Sequence, residues 1–179
     1  MKKLAVIFPG MNYNSDKPLL YYIKKILKRE KFDIVEVEYG KLPDDKMNAF
    51  KIAIKKANEK INDISWSEYQ DILFVSKSIG TVLSGKISME LELKIRQIYL
   101  TPVNETLQFI NGNCIVFSGK EDPLIDTSLL ISDCDNKKIS LFLYEGCDHS
   151  IESGILQEDL KTLSEIINKC EKYIKNINH

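Results

Sequence analysis

The chain has 179 residues, with 25 Lys and Arg against 26 Asp and Glu, and 44% of it is hydrophobic. That length suits one domain with a sizeable buried core, and residues 1–179 are read as a single unit. A net charge of −1 gives no bulk attraction to nucleic acid or to an anionic membrane, and the apolar share is too high for disorder.

Residues 4–8 form a continuous apolar run that Pro9-Gly10 stops. Two lysines before it imitate a secretion signal, but five residues fall short of the ~7–15 that such a signal needs, so the run is read as a buried first strand. Pro18 then opens a stretch with Leu19, Leu20, Ile23, Ile26 and Leu27 on one side and lysines on the other. This predicts an amphipathic helix with Asp16 as its N-cap. Residues 32–37 carry charges in mid-run, which suits an edge strand. Met47, Phe50, Ile54, Ala57, Ile61 and Ile64 recur at helical spacing and predict a second amphipathic helix. Further apolar runs follow at 72–75, 95–100, 115–117 and 139–144. The last helix is expected to bury Leu156, Leu160, Leu163, Ile167, Cys170, Ile174 and Ile177.

Strands alternating with helices argue for a doubly wound, three-layer α/β sandwich with a six-stranded, mainly parallel sheet. The charged second run at an edge gives the order 2-1-3-4-5-6. No stretch approaches the ~18 apolar residues of a membrane helix. Cys114, Cys134, Cys147 and Cys170 have neither zinc nor disulfide spacing, which points to a reducing, cytoplasmic compartment. Richness in Lys, Ile and Asn hints at AT-rich coding, as in some bacteria.

Ligands bind at the carboxyl ends of the strands in such a sheet. The loop after the third strand, Ser76-Lys77-Ser78-Ile79-Gly80, leads straight into a helix. It matches the nucleophile elbow G-x-S-x-G except that Ser76 takes the first glycine position. A serine on that turn projects from a sharp bend, and the amides of the following helix can stabilise an oxyanion. The bland alternative is an ordinary strand-to-helix turn with a serine N-cap. A serine nucleophile needs a base, and the chain has two histidines. His179 ends the chain, whereas His149 follows the last strand and shares Ser78's sheet edge. The acid should lie between them in sequence, and Asp122, before Pro123, is the first candidate. Glu121 and Asp126 are alternatives, while Asp148 is too close in sequence to His149 to buttress its ring easily. Cys147 and His149 form a conceivable second pair, but adjacency in sequence is not the spatial arrangement such a pair needs.

Together these loops resemble the α/β-hydrolase superfamily, and more narrowly its small lidless members, similar to dienelactone hydrolases and small carboxylesterases. The resemblance runs from LAVIFPG through SKSIG and GKEDPL to GCDHS. It implies Ser78 as nucleophile, Asp122 as orienting acid and His149 as general base. The backbone N–H groups of Met11 and Ile79 would form the oxyanion hole. Ser76 in place of glycine, and the missing histidine before Gly10, depart from the family pattern. The resemblance further implies a minimal fold without the family's two leading strands. Residues 101–112 are too few for a lid, so the site should be shallow, with Tyr13 and residues 102–109 as candidate walls.

The expected activity is hydrolysis of a small-molecule carboxylic ester or thioester through an acyl-enzyme, with no metal or organic cofactor. The alternative is a non-catalytic hydrolase-fold protein that binds a small ligand or a protein partner, which the Ser76 substitution favours slightly. A flavodoxin-like nucleotide site at residues 9–16 ranks last, because that loop has one glycine and no G-x-G-x-x-G.

Overall fold

The computed structural model describes residues 2–175. His179, and Ile177 of the expected last-helix face, lie outside the described residues. Six strands form one all-parallel sheet: β1 (Lys3–Phe8), β2 (Phe32–Glu36), β3 (Asp71–Lys77), β4 (Ile95–Leu100), β5 (Cys114–Gly119) and β6 (Ser140–Tyr144). Their order is β2-β1-β3-β4-β5-β6, as expected from the sequence. Strand β2, with Asp33 and Glu36, holds an edge. Strands β1, β3, β4 and β5 are almost wholly buried; residues 4–8 and 72–75 accordingly read as unbroken apolar runs, while β4 also buries Arg96 and Gln97.

Successive side chains point to opposite faces and build two cores. Ala5, Ile7, Leu73 and Val75 pack against α1 (Pro18–Arg29) and α5 (Leu156–Ile174). Leu4, Val6, Phe8, Ile72 and Phe74 face α2 (Lys46–Ile61) and α3 (Ile79–Leu91). Helix α4 (Thr127–Lys137) covers Tyr99, Cys114 and Val116 near the other edge. At the amino end of the sheet the Arg96 guanidinium donates to both carboxylate oxygens of Asp71 at 2.9 and 2.8 Å. It also donates to the carbonyls of Tyr173 and Ile174, fastening the end of α5.

Three local expectations are corrected. Lys17, not Asp16, takes the N-cap position of α1 and makes no side-chain cap; the Tyr13 hydroxyl instead accepts from the Leu19 amide at 3.0 Å. Helix α2 buries Ala49, Ala53, Ala57 and Ile61, while Met47 is 67% exposed and Ile64 lies past the helix end. The alanines let the helix lie close to its neighbours, and the larger Phe50 and Ile54 flank that contact. Helix α5 buries Ile166, Cys170 and Ile174 but leaves Leu156 and Leu160 exposed. At 1.5 Å per residue its 19 residues run to about 28 Å, against about 20 Å for a six-residue strand, so its first turns overhang the sheet.

Candidate active site

The carboxyl ends of β3, β5 and β6 bring together Ser78, Asp122 and His149. Ser78 stands between β3 and α3 with φ 54° and ψ −126°. Those are the angles of the first central residue of a type II′ turn, a position glycine normally fills. Holding a serine there costs about 1–3 kcal/mol, a strain that surrounding structure must over-determine. The constraints are visible. A Cβ on Gly80 would run into the carbonyl oxygens of Phe8 and Pro9. A Cβ on Gly10 would meet the Ser78 Cβ at 3.3 Å. Ser76, in the position where the elbow usually has glycine, is wholly buried with its hydroxyl donating to the Ile98 carbonyl at 3.3 Å. A small polar side chain is therefore accommodated there.

His149 lies in the loop between β6 and α5. Its Nε2 is 2.8 Å from Ser78 Oγ and its Nδ1 is 2.7 Å from Asp122 Oδ2. An ionised carboxylate only accepts, so Nδ1 carries the proton towards Asp122 and Nε2 is left to accept from the serine hydroxyl. Asp122 is 4% exposed, and its other oxygen accepts from the Leu124 amide at 2.9 Å. The acid loop is held on both sides. Asn104 Oδ1 accepts from the Asp126 amide, and the Glu121 amide donates to the Cys147 carbonyl. A Cβ on Gly119 would collide with the Cys147 and Asp148 carbonyls, so β5 and the histidine loop touch backbone to backbone. Ile151, in that loop, has φ 60°, a strained value for a β-branched residue.

The remaining sequence candidates separate cleanly. Glu121 is exposed, and the Asp126 carboxylate caps α4 by accepting from the Leu129 amide. Asp148 accepts from the amides of Ser150 and Glu152 within its own loop. The Cys147 side chain is buried in the core beneath α5, and burial pushes its thiol up, away from a reactive thiolate. Among the described residues neither the Met11 nor the Ile79 amide donates to a protein acceptor, while Gly10 and Tyr13 bridge each other around the first loop. Of the candidate walls, Tyr13 is half-buried, Phe109 packs into α3 against Gly85, and Asn104 and Glu105 stay exposed. Hollows of about 350 and 290 Å³ are lined by neither Ser78, Asp122 nor His149.

Lys77 and Thr101 were not singled out from the sequence, though both belong to this site's surroundings. A lysine closing a strand whose middle, residues 72–75, is apolar, one residue before the serine, was the available signal. Thr101, just past β4, is wholly buried at φ 45°.

An all-parallel sheet in this order, with a strained serine at a strand–helix turn, is the α/β-hydrolase fold. No family model matches the sequence, and no curated protein matches it. Solved structures do. An α/β serine hydrolase without lid from Xanthomonas campestris is 12% identical, with a TM-score of 0.68 over 97% of this chain and 81% of that one. An α/β serine hydrolase homologue from Coxiella burnetii is also 12% identical, with a TM-score of 0.63 over 94% of this chain and 84% of that one. Mouse α/β-hydrolase domain-containing protein 10 is 8% identical and reaches 0.71 over 97% and 90%. At such identities the likeness is one of fold.

Proposed function

We propose that the protein is a serine hydrolase that cleaves a small carboxylic ester or thioester through an acyl-enzyme. The observation that carries this is the unbroken hydrogen-bond series from Asp122 through His149 to Ser78, at 2.7 and 2.8 Å. In the first half-reaction His149 Nε2 takes the hydroxyl proton as Ser78 Oγ attacks the carbonyl carbon. Asp122 holds the imidazole in the required tautomer and offsets the charge it gains. The Met11 and Ile79 amides receive the oxyanion, aided by the amino end of α3. His149 then returns the proton to the alcohol or thiol as its bond to the carbonyl carbon breaks. In the second half-reaction it takes a proton from the water that attacks the acyl-serine and hands it to Ser78 Oγ as the acyl–Oγ bond breaks and the acid leaves. Every proton in this scheme is moved by His149, so it calls on no metal or organic cofactor.

Four free, buried cysteines fit a reducing, cytoplasmic setting. Among the described residues no helix is long and apolar enough to cross a membrane. The experiment is turnover of a panel of short-chain esters and thioesters by the wild type and Ser78→Ala. The proposal expects a saturable rate that the substitution abolishes. A wild type inert towards the whole panel would transfer the lead to a non-catalytic binding role.

A further inference from the structure

Lysine is among the residues least often buried, yet Lys77 is 2% exposed. It is the last residue of β3, directly before Ser78, and strand alternation turns it to the face opposite Ser76, beneath the histidine loop. Its Nζ donates to Thr101 Oγ1 at 2.8 Å and to the main-chain carbonyl of His149 at 3.0 Å. The Tyr13 ring covers it, with the centroid 4.6 Å away. One amino group thus joins the end of β4, the loop carrying His149 and the loop after β1 to the strand carrying Ser78. Its hydrogen-bond partners are neutral oxygens, and the strained backbone of Thr101 is what presents one of them. An apolar side chain would fill the same space without burying a charge. Packing alone does not account for a lysine here.

We propose that Lys77 is a positioning residue of this site: its buried amino group ties the main chain of His149 to the strand bearing Ser78, keeping imidazole and hydroxyl in register. The inference rests on the hydrolase reading above. Displacing a reacting group by about 1 Å can cost ~10²-fold in rate, and the carbonyl that Lys77 grips belongs to the base itself.

The charged groups facing Lys77 come from two loops: Asp122 before α4, and Asp148 and Glu152 around His149. Burial pushes its ammonium down to about 8, against the upward pull of those carboxylates. The Tyr13 phenol, pushed up to about 12 by burial, stays protonated in that range. A hydrogen bond from a charged donor is stronger than one from a neutral amine, so the grip on His149 loosens above pH 8.

The test compares wild type with Lys77→Met on a short-chain nitrophenyl ester between pH 6 and 10, with spontaneous hydrolysis subtracted. The variant should lose about 10- to 100-fold in kcat while KM moves less than about threefold. In the wild type kcat/KM should fall about fivefold above pH 8, and this limb should be missing from the variant. A variant with kcat within twofold of wild type, or one that keeps the alkaline limb, overturns the proposal while the hydrolase reading stands. If Lys77→Met does not fold, the wild-type profile decides, and a flat course from pH 7.5 to 9.5 overturns it. A wild type without any turnover overturns both.

Discussion

Replacing Ser78 by glycine should give a more stable protein than replacing it by alanine, although both changes remove the hydroxyl. The backbone at this position has φ 54° and ψ −126°. An alanine there retains the strain, about 1–3 kcal/mol, whereas glycine adopts these angles freely. Against this, glycine loses about 0.5–1 kcal/mol more conformational entropy on folding. The difference should favour glycine by about 1 kcal/mol, or about 2–4 °C in Tm for a chain of this size. Both variants lack the Ser78 hydroxyl, so its bond to His149 cancels in the comparison. Parallel urea and thermal melts of the two purified variants measure the difference. An alanine variant equal to or more stable than the glycine variant would refute the idea that the turn stores strain at the serine.

Further outcomes follow from the same geometry. Asp122→Asn should leave the fold intact and lower ester turnover by about 10⁴-fold, the loss measured when a serine-protease triad receives the wrong imidazole tautomer. Asp126→Asn and Glu121→Gln should stay within about threefold of wild type, and a large loss from either would move the acid. Arg96→Ala breaks a buried pair with Asp71, exposed only 8% and 13% at the two side chains, and should cost about 3–5 kcal/mol in urea unfolding without changing activity per folded molecule. Lys77 binds its proton less tightly when folded than its ordinary 10.5, so between about pH 8 and 10.5 the unfolded chain holds more protons. Stability of the wild type relative to Lys77→Met should therefore rise with pH across that window, by about 1.4 kcal/mol per unit, and a falling difference would contradict the burial of the ammonium.

The strand order was legible because burial on both faces leaves a direct mark in sequence. Residues 4–8 and 72–75 carry no charge, whereas Asp33 and Glu36 announce an edge. The convergence of Ser78, Asp122 and His149 was legible for a different reason: sheet topology puts loops distant in sequence at one edge, and the chain has one internal histidine. The helix faces were harder. Hydrophobicity ranks Met47 above Ala49, but close approach of α2 favours the smaller side chain, and only the packed structure reveals how close that approach is. Leu156 and Leu160 have the spacing of a buried face, yet periodicity carries no information about where the sheet ends. Lys77 was not legible because burial of a lysine runs against its usual placement, and the oxygens that satisfy it lie 24 and 72 residues away in sequence.

The central claim is that Ser78 is a nucleophile activated by His149. Labelling with a fluorophosphonate probe, followed by peptide mapping of the modified residue, tests it most directly. The wild type should be modified at Ser78, with labelling lost in Ser78→Ala and strongly slowed in His149→Ala. Modification at Cys147 or elsewhere, or labelling of Ser78 that survives removal of His149 at the wild-type rate, would contradict it.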